Sequence, residues 1–89
     1  MRIRFLKSFD QDLDNVTDLS LLRKVQETIR IVKNATNLME IPNIKKLKSK
    51  KNYYRIRIGG YRLGISLENN EVTFIRIRHR REIYRKFPP

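Results

Sequence analysis

Five arginines fall at alternating positions of three strand-like runs in the second half of the chain: Arg55, Arg57, Arg62, Arg76 and Arg78. Side chains of a strand point to opposite faces in turn, so each run has two faces. In residues 53–58, Tyr54, Ile56 and Ile58 share one face, and Tyr53, Arg55 and Arg57 share the other. In residues 61–67, Tyr61, Leu63, Ile65 and Leu67 face a core, opposite Arg62, Gly64 and Ser66. In residues 72–78, Thr73, Ile75 and Ile77 are read as core-facing, which leaves Val72, Phe74, Arg76 and Arg78 outside. The apolar faces must meet helices, so the remaining face presents the five arginines together. Guanidinium forks bind phosphate in two-point geometry, and a phosphate site favours them over lysine. An open sheet face kept polar only for solubility carries both signs of charge. No carboxylate of these runs lies on this face, which favours a binding site. Gly64 and Ser66 sit mid-strand, where larger residues are preferred, and predict a shallow groove between arginine rows.

Other chemistries are closed off. The chain has no cysteine, which excludes disulfides, thiolate metal sites and thiol nucleophiles. His79 is its single histidine, so acid–base catalysis by a histidine pair is unavailable. No run has metal-ligand spacing, and neither metal nor cofactor is expected. The net charge is +12, and it is lopsided: residues 1–42 hold seven basic and six acidic side chains, and residues 43–89 hold fourteen and three. Such a field attracts polyanions and strains the compact monomer. By itself it fits a generic basic surface, as in a ribosomal protein, as well as a dedicated polyanion site. The lysine-rich segment 44–51, with Lys48, Lys50 and Lys51, reads as a solvated loop making non-specific phosphate contacts, with Leu47 as its anchor. No apolar run approaches the ~18 residues that span a bilayer. The opening MRIRFLKSFDQDL reaches acidic residues too early for a secretory signal, and a cytoplasmic protein is expected.

The elements that position these residues follow from periodicity. A chain of 89 residues allows one domain, 1–89. Residues 2–6 alternate as a strand. Ser8 or Asp10 is placed to cap a short helix bearing Phe9, Leu13 and Val16, and Thr17 or Asp18 to cap a longer one. The apolar stripe of the longer helix is read as Leu19, Leu22, Val25, Ile29 and Val32. The two helices form a hairpin. Gly59-Gly60 and Asn69-Asn70 are turn dipeptides, so the three arginine-bearing runs form an antiparallel meander. Residues 82–86 form a helical turn. The fold class is α+β: an N-terminal strand and a helix hairpin packed on an antiparallel sheet of about four strands, closed by a short C-terminal turn.

YYRIRIGGYRLGI at residues 53–65 and the segment 75–87, ending HRREIYRKF, together resemble the RelE/StbE branch of the RelE/ParE toxin superfamily. Chain length and element order match that whole domain. The resemblance implies a toxin of a type II toxin–antitoxin system, monomeric within a hetero-oligomer with its antitoxin. RelE-like members cut mRNA in the ribosomal A site. Their basic pair on the strand entering the turn matches Arg55 and Arg57, where the best-known members have lysines. The arginine of their Gly-Tyr-Arg segment matches Arg62, and their C-terminal tyrosine matches Tyr84. A further arginine before that tyrosine matches Arg78 when counted back without a gap, or Arg80 when the His-Arg dipeptide is aligned; the second alignment is preferred. The turn is shorter here than in the family.

The implied reaction uses the 2′-hydroxyl of RNA as nucleophile. A phenol is a poor base at neutral pH, but nearby positive charge stabilises a phenolate. Tyr84, flanked by Arg80, Arg81, Arg85 and Lys86, is assigned as general base. Arg55, Arg57 and Arg62 hold the phosphate, and Arg80 assists the leaving oxygen. Arg76, Arg78, His79, Arg81 and Arg85 join Lys48, Lys50 and Lys51 as RNA contacts. Tyr53, Tyr54 and Tyr61 are read as packing residues. The alternative for Tyr84 is an aromatic that pins the C-terminal turn to the sheet. Two other functions remain open: a ParE-like toxin acting on DNA gyrase, and a catalytically inactive RNA-binding domain.

Overall fold

The computed structural model describes residues 1–49 and 51–89. Lys50, one of the expected RNA contacts, lies outside the described residues. In chain order the elements are β1 (Arg2–Phe5), α1 (Lys7–Asp14), α2 (Leu19–Asn34), a 3-10 turn (Leu38–Glu40), β2 (Ile44–Lys46), β3 (Tyr53–Ile58), β4 (Tyr61–Glu68), β5 (Glu71–His79) and α3 (Ile83–Lys86). The strands form one five-stranded sheet in the order β1-β5-β4-β3-β2. The α+β class and the meander stand as expected. Two details differ. Part of the lysine-rich segment is a strand, since Ile44–Lys46 pairs antiparallel with β3. The sheet is mixed, because β1 runs parallel to β5.

Turn chemistry sets the meander. Asn69 and Asn70 have φ of 51° and 61°, the pair of positive values that a tight hairpin turn requires. Gly59, at φ 57°, opens the β3–β4 turn.

Asp18 caps α2, its carboxylate accepting from the Ser20 and Leu21 backbone N–H groups at 2.9 and 3.2 Å. The face that α2 buries is rotated from the expected stripe. Leu21, Val25 and Val32 are buried, Leu22 and Ile29 are half-buried, and Leu19 is exposed. Residues four and seven apart share a helix face, so Leu21, Val25 and Val32 point at the sheet together and Leu19, two residues before Leu21, points away. No side chain caps α1. Ser8 lies inside it, and its hydroxyl donates instead to the Ile75 carbonyl at 2.6 Å.

The main core joins Phe9, Val16, Leu21, Val25 and Val32 of the helical segment to Ile56, Ile58, Leu63, Ile65, Val72, Phe74 and Ile77 of the sheet. Each such side chain contributes roughly 1.5–3 kcal/mol when fully buried. Phe5, Phe9 and Phe74 pack together with ring centroids 5.1–5.6 Å apart, Phe5 and Phe9 stacked and Phe74 tilted against both. Val72 and Phe74 therefore face the core, against the strict alternation read for this strand. The reason is an irregularity in the β4–β5 ladder: Gly64 pairs with Arg76 and Ile65 with Phe74, so Ile75 is an extra residue. The bulge turns Ile75 to the opposite face and restores Ile77 to the core.

Ile75 there meets a second, smaller cluster with Ile83 and Phe87, flanked by Leu6, Leu47 and Tyr53. This cluster fastens α3 across the face of the sheet that the other helices leave open. No helix among the described residues is long and apolar enough to cross a membrane.

Candidate active site

The open face is organised in cross-strand rows. Arg57 pairs with Arg62, and Arg62 with Arg78, giving a row of arginines across β3, β4 and β5. The adjoining row is Arg55, Gly64 and Arg76. Like charges directly opposite one another oppose sheet formation. The fold manages this repulsion in two ways.

On the β5 side it uses a carboxylate. Asp12 of α1 is buried, and it accepts from Arg76 Nη2 at 2.8 Å, Arg78 Nε at 3.3 Å and the Ile77 backbone N–H at 3.1 Å. Arg78 also approaches Glu82 at 3.5 Å. The expectation of a face free of carboxylates is therefore corrected: α1 supplies one from beyond the edge of β5. Periodicity could not find it, because Asp12 is one of three alternating aspartates, Asp10, Asp12 and Asp14. Among the described residues, Arg76 Nε is buried without a partner. Arg76 and Arg78 are thus drawn to the sheet edge and away from the centre of the face.

On the β3–β4 side the guanidiniums are held by neutral oxygens. Arg62 Nη1 donates to the carbonyls of Gly59 and Tyr61, both at 3.0 Å. Arg55 Nη1 donates to the Asn43 carbonyl at 2.9 Å, and Arg57 Nη2 to Asn43 Oδ1 at 3.2 Å. These bonds fix direction without cancelling charge.

Helix α3 crosses this face and brings Tyr84 to it. Ile83 and Phe87 are buried beneath the helix, whereas Tyr84 between them is 56% exposed. Ile83 and Phe87, not Tyr84, therefore pin the C-terminal turn. The expected groove over Gly64 does not exist. Phe87 fills it, with Tyr53 against its ring edge at 5.5 Å between centroids.

Arg62 is the electrostatic centre of the group. Burial, and then the charge of Arg55, lower its proton affinity from the ordinary arginine value. An ionised Tyr84 acts in the opposite sense, and Arg57 and Arg80 lower it further. Arg55, Arg57, Arg62, Arg80 and Tyr84 thus lie within electrostatic reach of one point. Arg80 joins this group, whereas Arg78 is engaged by Asp12 and Glu82.

Lys48, Lys51, Arg81 and Arg85 are exposed. His79 is half-buried against Tyr61, with ring centroids 5.6 Å apart, and its Nδ1 accepts from the Arg81 backbone N–H at 3.3 Å. No group of histidine, cysteine, aspartate or glutamate side chains able to hold a metal ion exists among the described residues. The arrangement can grip a phosphodiester, absorb its developing charge and exchange a proton beside it.

A family model described as the ParE toxin of type II toxin–antitoxin systems matches residues 3–84. The chain is 37% identical over 89 residues to toxin RelE3 of Methanocaldococcus jannaschii, covering 99% of this chain and 100% of that protein. The crystal structure of the RelB–RelE antitoxin–toxin complex from Methanococcus jannaschii superposes with a TM-score of 0.82 at 36% identity, over 96% of this chain and 99% of that one. An archaeal RelE–RelB complex from Pyrococcus horikoshii shares the fold, with a TM-score of 0.74 at 20% identity over 89% and 93% of the two chains.

Proposed function

This chain belongs to the RelE/ParE superfamily of type II toxins, and we propose that it is an endoribonuclease that cuts mRNA in the ribosomal A site. What supports this reading is the cross-strand grouping of Arg55, Arg57 and Arg62, with Arg80 and the exposed Tyr84 within electrostatic reach of Arg62. RNA brings its own nucleophile. Tyr84 takes the proton of the 2′-hydroxyl as general base. The 2′-oxygen attacks phosphorus, and the P–O5′ bond breaks. Arg55, Arg57 and Arg62 hold the non-bridging oxygens as their charge grows, each well-placed donor contributing about 3 kcal/mol. Arg80 meets the departing 5′-oxygen, by proton or by charge alone. The products are a 2′,3′-cyclic phosphate and a 5′-hydroxyl. This route needs no metal ion and no cofactor. Lys48, Lys51, His79, Arg81 and Arg85 extend the basic surface that holds mRNA on the ribosome, with Arg76 and Arg78 at its margin.

A cognate antitoxin restrains the protein in this reading, in a hetero-oligomer where the toxin is monomeric. The similar toxin from Methanococcus jannaschii was crystallised with its antitoxin RelB. A bound acidic segment would also relieve the +12 charge. Restraint of this kind, on a target that is the ribosome, places the protein in the cytoplasm.

The test is primer extension on mRNA translated with the purified toxin. Cuts inside the reading frame are expected, and Tyr84→Phe should abolish them while RNA affinity stays nearly the same. Equal cutting by Tyr84→Phe would remove the base assignment. The second reading is a gyrase-directed toxin, favoured by the name of the matching family model. Supercoiling defects without mRNA cuts would establish it and overturn the ribonuclease.

A further inference from the structure

Asn43 precedes β2, and it has a backbone that few side chains adopt: φ is 65°. Its position explains the residue. Pro42 fixes the preceding turn, and a turn with proline first and positive φ second selects glycine or asparagine. Glycine would satisfy the backbone, so the asparagine side chain calls for another reason. The ladder supplies it. Ile44 pairs with Ile56, which sets Asn43 beside Arg57 at the end of β2. Its carbonyl accepts the Arg57 backbone N–H at 3.1 Å and Arg55 Nη1 at 2.9 Å. Its side-chain oxygen accepts Arg57 Nη2 at 3.2 Å. One residue thus holds both guanidiniums of the β3 pair.

We infer that Asn43 is the positioning residue of the phosphate clamp, aiming Arg55 and Arg57 at the same phosphodiester. The inference rests on the ribonuclease reading above. Two features suit the task. An amide oxygen orients a cation without neutralising it, so full charge stays available to the substrate. Each guanidinium carries five N–H donors, and Asn43 takes one side-chain donor from each, leaving the rest for phosphate oxygens. A carboxylate here would bind Arg57 more strongly and compete with the substrate for it.

Two variants of the full chain test this. Asn43→Gly keeps the turn and the carbonyl but removes the hold on Arg57. Asn43→Asp keeps the hold and adds charge. Side-chain 15N relaxation of the Arg57 Nε–H group reads orientation directly and needs no RNA. It should show loss of order in Asn43→Gly and retained order in Asn43→Asp. In cleavage assays Asn43→Gly should lower kcat about tenfold with KM little changed, since the error is one of geometry. Asn43→Asp, which keeps the geometry, should instead raise KM, most at low salt, where unscreened charges compete. Unaltered Arg57 order in Asn43→Gly overturns the inference, as does wild-type kcat in that variant. If the wild-type protein cuts no RNA, the ribonuclease reading fails, and the relaxation measurement still decides whether Asn43 orients Arg57.

Discussion

Phe87 lies so close over Gly64 that a Cβ built on the glycine would stand 2.8 Å from the ring Cγ and 2.9 Å from both Cδ atoms. That contact seats α3 on the sheet and leaves Tyr84 facing the arginines. Adding one methyl group, Gly64→Ala, forces the ring to lift. Overpacking of this kind costs about 1–3 kcal/mol, and Tyr84 moves with the helix. Cleavage should fall steeply in Gly64→Ala while urea denaturation shows a smaller loss of stability. Wild-type cleavage by this variant would show that Tyr84 does not depend on the seat.

Phe87→Ala probes the same contact by removal. Deleting a buried phenyl ring costs about 3–5 kcal/mol. A domain this small has on the order of 5 kcal/mol or a little above in total. The variant should therefore be marginally folded at 25 °C in thermal unfolding, and Phe87→Leu should recover most of the loss.

Asp12→Asn separates stability from catalysis. The buried carboxylate answers Arg76, Arg78 and the Ile77 N–H together. Breaking such a cluster leaves arginine charge uncompensated, at a cost of about 3 kcal/mol. Denaturant midpoints should fall, yet the folded fraction should still cut RNA. RNA affinity at low salt should rise, because two arginines are released toward the open face. A lower affinity would mean that Asp12 organises the RNA surface itself.

Arg62→Gln should do the reverse. It removes charge from the middle of the Arg57–Arg62–Arg78 row while keeping an N–H donor. Cleavage should drop by roughly a hundredfold or more. The melting temperature at low ionic strength should rise, and the gain should shrink as salt screens the remaining pairs.

A pH titration isolates one exposed pair. A hydrogen bond from Arg30 holds the Glu27 carboxyl below its ordinary value of 4.5; slight burial opposes this, and the Arg30 charge assists. The lowered value makes the contribution complete above the unfolded-state pKa and lost as pH falls through the folded-state pKa. Stability curves of wild type and Glu27→Gln should therefore converge below about pH 4.5. Exposed pairs contribute little, so the difference at neutral pH should be small and should vanish in high salt.

The residues explain which parts of this protein could be read from its sequence. Strands β3 and β4 keep strict alternation, so the placement of Arg55, Arg57 and Arg62 was legible, as were the turns at Gly59 and Asn69-Asn70. Strand β5 was misread because a bulge at Ile75 shifts the period by one. The available signal was Phe74, a large aromatic that strict alternation would leave in water. The parallel pairing of β1 and the role of Asp12 depend on contacts across more than sixty positions, as in Arg76 to Asp12 with a separation of 64. Local pattern holds no record of such partners. Tyr84 and Arg80 were assigned by resemblance; Ile83 and Phe87 are buried on either side of Tyr84 in sequence, and the Arg80 backbone N–H donates to the Gly60 carbonyl at 2.9 Å.

The parallel pairing of β1 with β5 also bears on how the protein is made. Residues 2–5 are made well before their ladder partners, residues 71–74. The Ser8 and Asp12 side chains wait likewise for Ile75 and Ile77. A nascent chain carrying everything up to β4 therefore has no finished sheet, and folding dominated by such distant pairings is slow. The arginines consequently gain their joint arrangement only once β5 has joined the sheet, so the basic face is among the last features of the fold to be completed.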